Sequence, residues 1–124
     1  MIHSLVLSLG SNNPDRERQM QSAISWLGSQ LLDVRVSAIH ETSPDNGIGA
    51  PYLNAVAMAS TDMDIDQVTA LVKHWETQCG RTPESKIIGE IPIDIDIVMW
   101  DGHVVRAREF DRPYFRIGYS ELDS

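Results

Sequence analysis

The chain has 124 residues, 42% of them hydrophobic and 23% charged, with a formal net charge of −8. That length suits one compact domain over 1–124 with an adequate core, and is short for two. The acidic balance argues against nucleic acid as a partner, since long phosphate contacts need clustered Lys and Arg; a small phosphorylated ligand carried with a divalent cation remains open.

No apolar run approaches the length of a membrane span, so no membrane association is expected. The apolar start "MIHSLVLSLGSNN" lacks the basic region and cleavage site of a leader. Cys79 is the only cysteine, which rules out an intrachain disulfide and fits a reducing, cytoplasmic setting.

Residues 2–11 alternate Leu and Val with smaller residues and read as a strand. Asn12 and Asn13 can cap a helix whose first turn takes Pro14. Met20, Ala23, Ile24, Leu27 and Leu31 then recur at spacings of three and four, and Gly28 marks a possible end. Residues 34–43 read as one half-buried strand, 44–51 (PDNGIGAP) as a loop, and 52–61 as another strand. Asp64 and Gln67 have capping-box spacing ahead of a second helical stripe, Ile65, Val68, Leu71, Val72 and Trp75, which Gly80 stops. Residues 81–90, broken by Pro83 and Gly89, read as a loop, and the segment after about 104 as an irregular tail with at most one short strand.

The order β-α-β-β-α-β predicts an α/β (α+β) ferredoxin-like sandwich with a mainly antiparallel sheet. Many unrelated activities use that fold, so function must come from the residues.

The strand in "GEIPIDIDIV" (89–98) is the best lead. Alternation puts Ile93, Ile95 and Ile97 on one face and Asp94 and Asp96 together on the other. Adjacent like charges on an apolar strand call for a cation between them, and Mg²⁺ is usually held by one or two carboxylates plus substrate phosphates. A bare Asp-x-Asp is more often a solvated face. Asn54 can donate and accept at once, which suits the edge of a heterocycle, although a lone Asn is more often a structural amide. His3, His40, His74 and His103 show no metal-ligand spacing.

Taken in order, "LSLGSN" (7–12), "ETSP" (41–44), "PYLNAV" (51–56), "HWETQCGR" (74–81) and "GEIPIDIDIV" (89–98) resemble the 6-hydroxymethyl-7,8-dihydropterin pyrophosphokinases of folate biosynthesis. The resemblance implies a ferredoxin-like fold and Mg-dependent transfer of pyrophosphate from ATP, the cosubstrate, to the hydroxymethyl-dihydropterin. It implies that Asp94 and Asp96 bind two Mg²⁺ ions bridging the ATP phosphates. It also implies a pterin pocket at Thr42, Ser43, Pro44, Asp45 and Asn54 with Tyr52 as a wall, and a nucleotide side at Glu76 and Arg81.

The chain departs from the family pattern at Ile91 and Ile87, where basic residues are usual, at Pro83 and Glu84, at Tyr114 in place of a histidine, and in its short C-terminus. Each lost cation removes a charge-assisted phosphate contact of about 1.5–3 kcal/mol. A divergent member acting weakly or on another heterocycle, and a non-catalytic binding or assembly domain, therefore stand beside the pyrophosphokinase. If Pro92 turns Ile91 outward, Ile91→Arg is expected to strengthen ATP binding; if Ile91 is core, the charge is costly.

Overall fold

The computed structural model describes residues 1–43, 50–88 and 90–123, with Lys86 described by its backbone alone. Among them six strands and five helices follow the order β1 (His3–Ser11), α1 (Arg16–Gln30), β2 (Leu32–Val36), β3 (His40–Thr42), β4 (Tyr52–Thr61), α2 (Ile65–Gln78), α3 (Pro83–Ile88), β5 (Asp94–Trp100), β6 (His103–Val104), α4 (Ala107–Phe110) and α5 (Pro113–Leu122). The strands form one sheet in the order β2-β4-β1-β5-β6, with β3 also paired to β4, and every pairing is antiparallel. With β2 and β3 taken as halves of one strand, this is the ferredoxin-like order.

The two helices expected from periodicity cover one face. Met20, Ala23 and Leu27 of α1 and Val68 and Val72 of α2 meet Leu5, Leu7, Leu9, Ile93, Ile95 and Ile97 of the sheet. The N-terminus of α2 carries a complete capping box, Asp64 accepting from Gln67 N–H and Gln67 accepting from Asp64 N–H, both at 2.8 Å. Gly80, at φ +98°, closes that helix in a conformation that costs other residues energy.

Asn13 Oδ1 accepts from Asp15 N–H ahead of α1, but the N-cap is Asp15, which makes no side-chain cap bond, and Pro14 precedes the helix rather than entering its first turn. Asn12 does something else. It is 1% exposed, accepts from Ile91 N–H at 2.6 Å and donates its own N–H to Ile91 O at 3.1 Å. The end of β1 is thereby stitched to the segment entering β5.

Three expectations are corrected. The strand expected over 34–43 is broken, because Ser37 leaves the ladder and its hydroxyl accepts Val56 N–H at 2.9 Å. The loop expected over 81–90 contains α3, entered through Thr82, whose N–H reaches Ser85 Oγ at 3.1 Å. The tail expected to be irregular from about 104 forms α4 and α5. Phe115 and Leu122 of α5 pack on Val6, Val56 and Val98, giving the sheet's second face its own core.

Candidate active site at the open end of the sheet

β5 carries its aspartates on the face that α5 covers farther along. Ile93, Ile95 and Ile97 go to the α1/α2 core, while Val98, in step with Asp94 and Asp96, packs against Phe115. Register then defines a row across the sheet: Asp94 opposite Gly10, Gly10 opposite Asn54, and Asn54 opposite His40. Residues opposite one another share a face, and strands lie about 4.8 Å apart, so Asp94 and Asn54 stand about 10 Å apart on one face.

Glycine between them keeps that floor low. A Cβ on Gly10 would lie 3.3 Å from Asn54 Oδ1 and 3.6 Å from the Tyr52 ring. Asn54, 6% exposed, donates through Nδ2 to Thr42 Oγ1 at 2.6 Å. Thr42 in turn faces Tyr52 across the β3–β4 ladder. The structure thus brings Thr42, Tyr52 and Asn54 together, with Ser43 exposed just beyond β3. Pro44 and Asp45 lie outside the described residues, as does most of the 44–51 loop.

At the other end of the row, α2 caps the outer edge of β5 with side chains. Glu76, 3% exposed, accepts Ile95 N–H at 2.7 Å. Arg81 Nη1 donates to Asp94 Oδ1 at 2.7 Å, Glu76 Oε1 at 3.2 Å and Ile93 O at 3.3 Å. Lys73 Nζ donates to Glu76 Oε2 and Ile95 O, both at 3.2 Å, and to Asp96 Oδ1 at 3.5 Å. Glu76, expected on the nucleotide side, is therefore enclosed by its own partners and braces the strand that presents the aspartates.

Electrostatics follow from this crowding. Burial and the neighbouring Asp94 push the Asp96 carboxyl above its ordinary range, against the pull of Lys73 and Arg106. Burial alone would ease the proton off Arg81, but its hydrogen bond to Asp94 and the charges of Asp94, Glu76 and Asp96 hold it more firmly than usual.

Sequence reasoning missed four residues here. Lys73 precedes Glu76 by three positions, so helical spacing alone could have placed it on the same face. Arg106 approaches Asp96 Oδ1 at 3.8 Å. Glu109 of α4 accepts from Ser8 Oγ and from Tyr114 Oη, both at 2.7 Å, and Ser8 stands opposite Asp96 in the ladder. Arg106 and Glu109 had no signal, because a segment read as irregular has no face to assign.

Asp94 and Asp96 are hard oxygen donors, and burial together with the neighbouring Asp94 disfavours the charged form of Asp96, a cost that a cation would relieve. That donor set could hold Mg²⁺, which is usually bound by one or two carboxylates together with substrate phosphates.

A ferredoxin-like sheet that sets paired carboxylates and edge cations across a glycine gap from a buried amide has the makeup of a small-molecule phosphotransferase. A family model described as 7,8-dihydro-6-hydroxymethylpterin-pyrophosphokinase (HPPK) matches residues 6–123. The chain belongs to that family. It is 30% identical over 115 residues to the mitochondrial folate synthesis bifunctional protein of Pisum sativum, covering 91% of this chain and 22% of that protein. It is 29% identical over 113 residues to the 2-amino-4-hydroxy-6-hydroxymethyldihydropteridine pyrophosphokinase of Porphyromonas gingivalis, covering 87% of this chain and 77% of that enzyme. The pyrophosphokinase of Bacillus subtilis is 27% identical over 117 residues, with 90% of this chain and 68% of that enzyme covered. Among the described residues, no helix is long and apolar enough to cross a membrane.

Proposed function

We propose that the chain transfers the two terminal phosphates of ATP, as one diphosphoryl group, to the hydroxymethyl oxygen of 6-hydroxymethyl-7,8-dihydropterin. The reaction is placed in the cytoplasm, with Mg²⁺ held at Asp94 and Asp96. The observation that carries this reading is the row Asp94–Gly10–Asn54, which sets carboxylates at one end and a buried amide at the other.

Bound Mg²⁺ would supply charge neutralisation and alignment of the phosphates. Asn54 holds its amide by the bond to Thr42, which leaves Oδ1 leaning over Gly10 to accept from a ring N–H. Tyr52 walls that end, and Ser43, Pro44 and Asp45 supply its rim on the family resemblance. Arg81 has donors beyond its occupied Nη1 with which to meet a phosphate. The hydroxymethyl oxygen bonds to the β-phosphorus, the bond from that phosphorus to the α,β-bridging oxygen breaks, and AMP leaves. The hydroxyl proton passes to solvent, since a loose transition state needs little help from a base.

The direct test is AMP release from ATP in the presence of Mg²⁺ and the hydroxymethylpterin. Asp96→Asn should lower turnover by about two orders of magnitude. At pH 7 it should melt no lower than the parent. The Asp96 carboxyl is raised in the folded state, so the stability its protonated form contributes is complete below the ordinary value and lost as pH rises through the raised one. Asn never ionises, so any difference in melting should close below about pH 4. A variant that unfolds while keeping turnover would make the pair structural.

Asn54→Ala should weaken the pterin by about 1–3 kcal/mol in calorimetry and the nucleotide much less, because the loss falls on the heterocycle's polar edge. Equal losses for both ligands would confine Asn54 to supporting Thr42.

One observation favours a second reading, a binding domain that turns over poorly. Ile91, at the place of the family's signature arginine, is 7% exposed and cannot offer a phosphate a charge. Tight calorimetric binding of both ligands without AMP release would select it.

A further inference from the structure

Behind the row Asp94–Gly10–Asn54 lies a second row on the same face. Register sets Ser8 opposite Asp96 on one side and opposite Val56 on the other. Two residues of strand separate the rows, about 7 Å. Glu109 of α4 reaches into this second row. Its Oε2 accepts from Ser8 Oγ and from Tyr114 Oη, each at 2.7 Å. Ser8 is buried, and Glu109 and Tyr114 are half-buried.

α4 is a single turn that buries none of its residues and has no side-chain cap bond, with Phe110 partly buried at the border of the second core. An apolar side chain at position 109 would also fasten such a turn, since the Val98–Phe115 core lies next to it. A half-buried carboxylate loses hydration there and needs aligned donors in return; what those donors add is direction. Both converge on one oxygen atom. Ser8 fixes that atom over the middle strand of the row, and the atom in turn ties the phenol of Tyr114 by its hydroxyl. The tyrosine thereby becomes a back wall behind Gly10, between the carboxylate end and the amide end.

We propose that Glu109 is a positioning residue for the transfer: it holds Tyr114 as the wall against which the two substrates are brought into line over Gly10. The inference rests on the proposed reaction and adds to it a residue that acts through another. Such a wall serves the alignment of the attacking oxygen on phosphorus. Loosening it should therefore lower kcat more than it raises either KM.

The test is steady-state AMP release by the full chain, with ATP and the hydroxymethylpterin each varied, in Glu109→Leu, Glu109→Gln, Tyr114→Phe and the double variant Glu109→Leu/Tyr114→Phe. Glu109→Leu should lose about 10–30-fold in kcat, with both KM values within about threefold of the parent. Tyr114→Phe keeps the ring and lacks the tied hydroxyl, so it should lose the same factor. The double variant should lose that factor once, not twice over. Glu109→Gln, whose amide oxygen can accept from both hydroxyls, should stay within about threefold of the parent. Thermal melts set an assay temperature at which the variants are folded; if Glu109→Leu does not fold, Tyr114→Phe and Glu109→Gln carry the test. Parental kcat in folded Glu109→Leu or in Tyr114→Phe would overturn the proposal, as would multiplied losses in the double variant. Glu109→Gln slowed as much as Tyr114→Phe would also overturn it, by making the charge and not the seat the active feature. A parent that releases no AMP would instead overturn the reaction beneath it, a failure that slow variants of an active parent cannot imitate.

Discussion

Ile91→Arg should unfold well below the parent and gain no affinity for Mg·ATP. Ile91 is 7% exposed, and its backbone is tied in both directions to buried Asn12, with Ser11 Oγ also reaching its carbonyl at 3.4 Å. Next to it, Pro92 O accepts from Ser11 Oγ at 2.6 Å. Those bonds hold the segment in place, so the side chain cannot turn outward without breaking buried hydrogen bonds at about 1–3 kcal/mol each. Keeping the backbone and burying the guanidinium forfeits the isoleucine's burial and desolvates a charge. Either route costs about 3–5 kcal/mol, a large share of the 5–15 kcal/mol typical of a domain. Melting should fall by roughly 10–25 °C. Of the two outcomes open from sequence, the structure favours packing over phosphate contact: proline does not turn residue 91 outward. An Ile91→Arg protein that melts normally and binds Mg·ATP more tightly would show that the segment can swing open.

The same residues show what a sequence can and cannot carry. Alternation in "IPIDIDIV" correctly separates the isoleucines from the aspartates, because strand geometry leaves a side chain only two directions. The strand over 52–61 and the helix capped at Asp64 are legible for similar local reasons. The row that joins Asp94 to Asn54 is not legible, since it depends on the register of three strands distant in sequence. The break at Ser37 is invisible for a related reason. It forms beside α5, where a Cβ on Gly118 would lie 2.6 Å from Val56 Cγ2 and 3.0 Å from Ser37 Oγ. Glu76, which the family resemblance sets on the nucleotide side, also accepts the Ile95 N–H from a buried position, a contact that no local pattern announces.

Removing the ring of Phe115 should be about as damaging as charging Ile91, and for the opposite reason: it leaves a void. Phe115 is fully buried on α5, stacked with Tyr119 at 5.9 Å and tilted against Phe110 at 5.7 Å. It packs with Val6, Val56 and Val98 in the second core. Gly118 brings the helix so near Val56 that the backbone has no room to settle inward and fill the space. A Phe→Ala change at such a site costs about 3–5 kcal/mol, toward the upper end where collapse is blocked. The loss reaches the candidate site through α4, whose Glu109 meets Ser8 and α5's Tyr114. Phe115→Ala should therefore lower the melting temperature steeply and weaken nucleotide at temperatures where the protein is still folded. The far end of α5 is held separately. Glu121 accepts Ala38 N–H at 2.9 Å and pairs with His40 Nε2 at 2.6 Å, and those partners keep its carboxyl below the usual range. A group depressed in this way contributes stability that is present above its ordinary value and fades as pH falls through the folded one. The Phe115→Ala protein should accordingly lose α5 at a higher pH than the parent on acidification, followed by near-ultraviolet circular dichroism of the Phe110–Tyr119 pair that both proteins keep. A variant that keeps parental melting and nucleotide affinity would show that the C-terminal helices add no support to the sheet or the site.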